Sequence, residues 1–589
     1  MKLRITHNPA FAENARTIAG DSRTLGKVLQ DFREFAQKKS LLLPILALQL
    51  LQVVLVPPLA DMPSNDDWMY ASMVNSVILD HVYQHHPYVQ PTSIAHVLWG
   101  ALFCSVLGMN FMALKCSTLV MAIAGAWAVA RCALACGHSR RAALLGGMLV
   151  TANPLYLHLS NTFMTDVSYF ALLALSSWGY LQALREKHTA RWILIGGGFG
   201  VLAFFVRQFG LFAAAAYFVS TVYIHLRARP RPSPAECLAF IVPWLFAGVG
   251  YLLWKNTVWP LFGWSPLVST DPIPTRILGL AAYATVIVTL IAIYLAPVIL
   301  AFITQPASRR TQWTRASWLT ATGFVALAVY TFCFFLREPM PKPGNVFHAE
   351  GVGPITIGGQ PFDIPPQAQP IFWFWVVATC FFVAAAGILI GELLARTKSK
   401  PTMRPAQTIF LVVLAGLVFA SSYSPYVWFP FDRYTVPLLL PATLLATQPL
   451  IRLRHRRAIR IAAIATMVVF SFSVAALQDY TGWASARWMA VNYLLHDKKI
   501  DPRHIDGGFE FNGIYTSREF LRLHPVQEFW QSLSGGWWVL DDEYRIAFTQ
   551  VAGYEVIRRF PYYSWLGFRE RDVLVLKRTG GTHKQSRTQ

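Results

Sequence analysis

The sequence predicts a polytopic all-α membrane domain of about thirteen transmembrane helices. It places interfacial helices in the first external loop and a small external α/β domain at the C-terminal end. Three observations carry this. The chain of 589 residues is 54% hydrophobic and only 14% charged, where soluble proteins carry roughly 25% charged residues. Apolar runs of ~20 residues, enough to cross ~30 Å of hydrocarbon, recur along most of it. Lys and Arg gather in short clusters between those runs, the pattern of cytoplasmic loops.

The net charge of +21 follows from those clusters and does not point to nucleic acid. The aromatic residues lie within or at the ends of apolar runs, not among the basic clusters as a single-strand groove requires. The seven Cys (104, 116, 132, 136, 237, 333 and 380) lie in or beside apolar runs. They form neither a disulfide framework nor a zinc knuckle pattern. Cys132 and Cys136, four apart on a helix, are assigned to packing.

Residues 1–40 are a polar, mixed-charge cytoplasmic segment. Leu41 to Ala60 lies too far into the chain for a cleaved leader and is expected to be a signal anchor. Lys38 and Lys39 hold its start in the cytoplasm, so residue 61 onward faces out. From Asp66 to Gln84, Met69, Met73, Val74, Val77 and Ile78 recur at helical spacing, which predicts a helix in the interface. Thr92 to Leu107 is apolar but short, and predicts a second interfacial or re-entrant helix.

The basic clusters then set the direction of each span. Phe111–Ala130 goes in, Ala142–Tyr156 out, Val167–Leu184 in, Trp192–Val206 out, and Leu211–Leu226 in. Cys237–Trp254 goes out, Ile277–Ile303 in, and Trp318–Leu336 out. The Pro- and Gly-rich stretch 337–370 is a long external loop, of a length that is usually functional or disordered. Ile371–Leu394 goes in, Ile409–Tyr423 out, Thr435–Leu450 in, and Ile461–Leu477 out for the last time. Residues 41–478 are thus one membrane domain, with loop 61–110 and loop 337–370 outside. The nearly charge-balanced segment 479–578 is an external α/β domain. It has a helix over Trp483–Leu495 and strands at His504–Phe511, Trp537–Leu540, Tyr544–Phe548 and Asp572–Leu576. Residues 579–589 have the composition of a disordered tail. Gly196 to Gly200 lies inside an apolar run and predicts close helix packing.

This topology puts a set of polar residues from separate loops on the outer side at one depth. They are Asp66, Asp67, His81, His85, His86, Asp166, Arg207, Gln208, Lys342, His348, Glu350, Asp432 and Arg433. Paired carboxylates with arginines suit one reaction. A carboxylate deprotonates a hydroxyl, for a gain of ~10²–10⁴-fold, while a guanidinium stabilises a departing phosphate. The second carboxylate orients the acceptor or holds a metal. Each residue also has a structural reading. Asp66 and Asp67 suit a helix N-terminus, and Asp166 opens a span. Arg207 can snorkel, Asp432-Arg433 can anchor a span, and the histidines can form a solvated interfacial face.

In its order of motifs the chain resembles the GT-C glycosyltransferases, and within them the protein mannosyltransferase and lipid A aminoarabinose transferase family. Asp66-Asp67-Trp68-Met69-Tyr70 is similar to that family's acidic pair after the first span, where the second member is more often Glu. Met164-Thr165-Asp166 matches its later Asp. Arg433-Tyr434-Thr435-Val436-Pro437-Leu438 is similar to its Arg-Tyr-x-x-Pro-Leu. His86-Pro87 or Gln90-Pro91 stands where the family has Lys-Pro.

The resemblance spans about residues 41–480 and implies an inverting transferase. Such an enzyme moves a sugar from a polyprenyl-phosphate donor to an acceptor hydroxyl on a lipid, glycan or protein. Asp66 is then the base, with Asp67 and Asp166 beside it. Arg433, Arg207 and Tyr434 hold the donor phosphate, and Lys342, His348 and Glu350 form a lid or acceptor site. A divalent metal ion is the one cofactor to look for, with His85 and His86 as candidate ligands. The absence of any Asn-x-Ser/Thr sequon favours a bacterial inner membrane, with the C-terminal domain in the periplasm. The alternatives are a polytopic transporter, or a non-catalytic protein that binds a lipid-linked glycan. Against the transporter stands the near absence of ionisable residues in mid-span.

Overall fold

The computed structural model describes residues 41–86, 89, 92–186, 189–227, 232–258, 273–304, 314–341, 346–353, 357, 369–395, 403–422, 431–452, 456–524 and 537–579. Lys342 and the tail beyond residue 579 lie outside the described residues. Among the described residues, eight helices are long and apolar enough to cross a membrane, or up to nine if a bent pair is one span. Three shorter apolar helices, Leu42–Leu55, Ile94–Leu107 and Thr189–Phe204, accompany them.

The shortfall from about thirteen has local causes. The expected span Ala142–Tyr156 breaks into Arg140–Ala152 and Pro154–Ser160, bent by 65°. Pro154 has no N–H to continue the first helix. The Asn153 side chain accepts from Tyr156 N at 2.9 Å and starts the second. The expected span Thr435–Leu450 begins as a 3-10 turn, Asp432–Leu438, and only then becomes the helix Leu439–Arg452.

Thr165–Ala183 is the central helix, buried along nearly all of its 19 residues. Small residues let its neighbours close on it. A Cβ on Gly179 would lie 2.5 Å from Gly196 N, so this helix and Thr189–Phe204 touch backbone to backbone. The packing role read for the glycines at 196–200 holds for Gly196, Gly197 and Gly200, while Gly198 faces open space. On the other side, a Cβ on Gly125 would lie 3.1 Å from Ala171 Cα. Cys132 serves the same packing, donating to Ala174 O at 3.4 Å. The centre therefore holds the N-terminal end of Thr165–Ala183, and with it Asp166, in a fixed place.

The stretch 61–110 forms two helices, Asp67–Leu79 and Ile94–Leu107, where the apolar spacing puts them. The apolar face of Asp67–Leu79 is not left to lipid. Met69, Met73 and Val74 pack with Val97, Leu114 and Phe163, and Trp68 packs with Phe520 and Trp538 of the C-terminal region. Within the stretch 337–370, β1 (Phe347–His348) and β2 (Gly351–Val352) pair as a short antiparallel hairpin.

The last helix, Arg456–Asn492, is 37 residues long and runs through the expected boundary at 478 without a break. Beyond it, β3 (Ile505–Asp506), β4 (Tyr544–Ala547), β5 (Tyr554–Ser564) and β6 (Arg569–Arg578) form a sheet of order β3-β4-β6-β5. The β3–β4 pair is parallel and the other pairs are antiparallel. Asp479 fastens the β5–β6 hairpin to the long helix, accepting from Ser564 Oγ at 2.7 Å, from Leu566 N at 3.2 Å and from Trp565 N.

The four strand expectations fare differently. Tyr544–Phe548 and Asp572–Leu576 are strands in essence, but His504–Phe511 is mostly not. After β3 the chain turns at Gly508, φ +91, and residues Phe509–Tyr515 form a helix. Trp537–Leu540 is a turn region rather than a strand. The 11-residue β5 was not anticipated, because Arg558, Arg559 and Pro561 interrupt its apolar pattern.

Candidate active site

The loop before Asp66 is tied down at three points. Asp61 Oδ1 accepts from Phe111 N at 2.7 Å, and Lys115 Nζ donates to Ala60 O at 2.8 Å. Ser64 N donates to Asp67 Oδ1 at 2.6 Å, so Asp67 folds back over the start of its own helix. Phe163 N also approaches Asp67 Oδ2, at 3.5 Å. Asp67 is fully buried. Burial pushes its carboxyl well above the usual carboxylate range, with Lys115 pulling against that shift. Its adjacent partner in the sequence faces another way. The Asp66 side chain is 25% exposed and receives Arg433 Nη1 on Oδ2 at 2.8 Å.

Arg433 is aimed by its neighbour. The buried Asp432 carboxylate accepts Arg433 N at 2.7 Å and also receives Val346 N and Phe347 N. One acidic side chain thus links the 3-10 turn to the β1–β2 loop and leaves the Arg433 guanidinium to reach Asp66. That guanidinium lies 5.4 Å from the ring centroids of both Phe431 and Tyr434.

A second ion pair stands beside the first. Arg207 Nη2 meets Asp166 Oδ1 at 2.9 Å, with side chains 8% and 1% exposed. Arg207 Nε donates to Thr165 Oγ1 at 2.9 Å, and its guanidinium lies 5.5 Å from the Tyr434 ring. Tyr434 therefore carries a guanidinium near it from each pair. Tyr70, one turn along the helix that Asp66 begins, sits among Asp66, Thr165, Asp166 and Arg207, and burial pushes its phenol up to about 12. The sequence-predicted Asp66, Asp166, Arg207, Arg433 and Tyr434 come together as one cluster. Two carboxylate–guanidinium pairs stand on either side of the Tyr434 ring, and Asp166 is the closed-off carboxylate while Asp66 is partly exposed. Asp67 backs the cluster from within the packing, not from the pocket.

Two of the lid candidates, Glu350 and His348, are tied into the structure. The Glu350 carboxylate is held by Arg571 of β6 at 3.2 Å, and so ties the loop to the C-terminal sheet. His348 accepts Glu350 N on Nδ1 at 3.2 Å, and burial lowers its imidazole to about 4. The metal candidates are also engaged in packing. His85 Nε2 donates to Val89 O at 2.9 Å. The His86 ring stands edge-on to Trp68, centroids 5.1 Å apart. Burial lowers both imidazoles, His86 to about 4. Among the described residues, the group of three ligand-type side chains that does gather is His504, Asp541 and Glu543 in the C-terminal domain. There Arg578 already donates to Asp541 at 2.9 Å. The cluster around Asp66 has the donor set of a phosphate site with a base, and its carboxylates are balanced by arginines instead of converging on a cation.

Sequence reasoning missed Glu510, which touches the loop beside this site, and Arg487, which holds it. Glu510 Oε1 accepts Asn65 N at 2.7 Å, and Glu510 Oε2 receives Arg487 Nη1 at 2.6 Å. The available signal was one acid set between Phe509 and Phe511, a pattern that buries a carboxylate and so demands a partner.

No family model and no curated protein matches the sequence. Among solved structures, the fold is similar to ArnT from Cupriavidus metallidurans bound to undecaprenyl phosphate. That likeness has 13% identity over 91% of this chain and 97% of that one, with a TM-score of 0.39. It is also similar to the archaeal oligosaccharyltransferase AglB from Archaeoglobus fulgidus in complex with an inhibitory peptide and a dolichol-phosphate. Here the identity is 12% over 78% of this chain and 58% of that one, with a TM-score of 0.39. At these scores the likeness adds no weight to the geometry above.

Proposed function

We propose that the chain is a membrane glycosyltransferase that moves a sugar from a polyprenyl-phosphate donor to an acceptor hydroxyl, with inversion, on the outer face of a bacterial inner membrane. The observation that carries the reading is the Asp66–Arg433 pair: a water-reachable carboxylate 2.8 Å from a buried guanidinium, with Arg207 and Tyr434 beside it. The polyprenyl class of donor comes from the motif resemblance.

The step balances with these groups. The donor phosphate enters next to Arg433 and draws the guanidinium from Asp66, which frees Oδ2. The acceptor hydroxyl oxygen attacks the anomeric carbon from the face opposite the phosphate. Its proton passes to Asp66, and the bond from the anomeric carbon to the phosphate oxygen breaks. The polyprenyl phosphate leaves with the electron pair, its charge met by Arg433 and Arg207 through charge-assisted hydrogen bonds. A phosphate leaving group requires no general acid. Asp166 keeps Arg207 in place and Tyr434 flanks both guanidiniums. Asp67 holds the backbone of the loop, and no step is assigned to a metal.

The test is transfer from a panel of undecaprenyl-phosphate sugars, each radiolabelled in the sugar, by purified protein in lipid nanodiscs. Release of undecaprenyl phosphate with label in a second product supports the reading. If undecaprenyl phosphate binds but no donor in the panel is ever consumed, the protein is a lipid-linked-glycan binder and the transferase reading falls.

A further inference from the structure

The base proposed above is gripped from outside its own loop. Asn65, immediately before Asp66, has φ +56, in the left-handed region that a non-glycine residue occupies at a cost. Its N–H is held by Glu510, a residue 445 positions away in the external domain. The other Glu510 oxygen is taken by Arg487, which extends from the outer part of the last long helix. The Glu510 and Arg487 side chains are 4% and 2% exposed. The Arg487 guanidinium also lies 5.7 Å and 5.4 Å from the rings of Trp483 and Trp488.

The short helix that carries Glu510 touches the catalytic side at two further points. A Cβ on Gly513 would lie 2.4 Å from Trp68 Cζ2, and one on Gly508 would lie 2.6 Å from Ile357 O of the external loop. Apolar packing alone would hold the two domains together. A buried ion pair costs desolvation and is a poor source of stability. What this pair adds is direction. It fixes the Ser64–Asn65 peptide, one residue before Asp66.

We propose that Glu510, held by Arg487, is a positioning residue for Asp66, so that the C-terminal domain completes the catalytic centre. The inference rests on the reading of Asp66 as the base. Glu510 serves two donors with two oxygens. Gln offers one oxygen and an NH₂, so it cannot accept from both. Asp keeps the charge for Arg487 but is one methylene too short to reach Asn65 as well.

The experiment compares full-length wild type, Glu510→Gln, Glu510→Asp and, as reference, Asp66→Asn. Three quantities are read: hydrogen–deuterium exchange over residues 62–67, turnover and donor KM with an undecaprenyl-phosphate sugar that the wild type uses, and Tm. In each Glu510 variant that stays folded at the assay temperature, exchange at Asn65 should speed up. Its kcat should fall about ten- to hundredfold, with donor KM within a factor of about two, because Arg433 and Arg207 are untouched. Normal kcat in both variants overturns the proposal. So does unchanged exchange, a joint collapse of KM and kcat, or unfolding of both variants, since each assigns the pair to the fold alone. If the wild type consumes no donor, it is the transferase reading that fails, and the exchange result still decides whether Glu510 grips Asn65.

Discussion

Asp166 and Asp66 each face an arginine, yet replacing them with Asn should have different consequences. The Asp166–Arg207 pair is closed off, with side chains 1% and 8% exposed. Asp166→Asn leaves the Arg207 charge buried beside Thr165, Tyr70 and the Tyr434 ring, with a neutral amide in place of its carboxylate. Removing one partner of such a pair costs about 3–5 kcal/mol. Asp66 is 25% exposed, so in Asp66→Asn water can reach Arg433 where the carboxylate stood. That loss should be nearer to ~1 kcal/mol. In thermal unfolding of the purified protein, Asp166→Asn should lower Tm on the order of 5 °C, and Asp66→Asn by a small fraction of that. An equal or larger fall for Asp66→Asn would refute the reasoning, because Asp66 would then be a structural anchor in a closed site.

Arg433→Lys keeps the charge but loses the planar fork and its stacking on Tyr434. Binding of undecaprenyl phosphate should weaken about tenfold, a loss of about 1.4 kcal/mol, measured by native mass spectrometry or thermal shift. Gly513→Ala pushes a methyl into Trp68 and should cost about 1–3 kcal/mol of stability, visible as faster proteolysis of the C-terminal domain. The His86 imidazole is lowered from 6.5 to about 4 by burial. A group depressed in the folded state stabilises above its unfolded pKa and loses that contribution as pH falls towards its folded value. Tm should therefore hold above pH 6.5 and decline towards pH 4, and His86→Phe, which keeps a ring against Trp68, should flatten part of that decline.

Much of this was legible in the sequence because it depends on period and side. Apolar runs and basic clusters order the helices, and order plus side brought Asp66, Asp166, Arg207 and Arg433 to one face. The structure adds that they meet. What the sequence hid is set by local breaks and long-range contact. The Asn153-Pro154 bend and the 3-10 turn at Asp432–Leu438 look like ordinary apolar runs until backbone hydrogen bonding is considered. Asp66 and Asp67 are adjacent, and no pattern says that one turns inward to Ser64 N while the other meets Arg433. The Glu350–Arg571 and Glu510–Asn65 contacts join residues 221 and 445 positions apart, which periodicity cannot see. β5 escaped because Arg and Pro lie on its exposed face.

The account turns on Asp66 acting as the base that takes the acceptor proton. The direct measurement is single-turnover transfer from a labelled undecaprenyl-phosphate sugar by wild type and Asp66→Asn, with undecaprenyl phosphate affinity measured on the same samples. The predicted result is a fall in rate of ~10²–10⁴-fold, about 2.7–5.4 kcal/mol in the barrier, with affinity and Tm close to wild type. A variant that transfers sugar at a near-normal rate would contradict it.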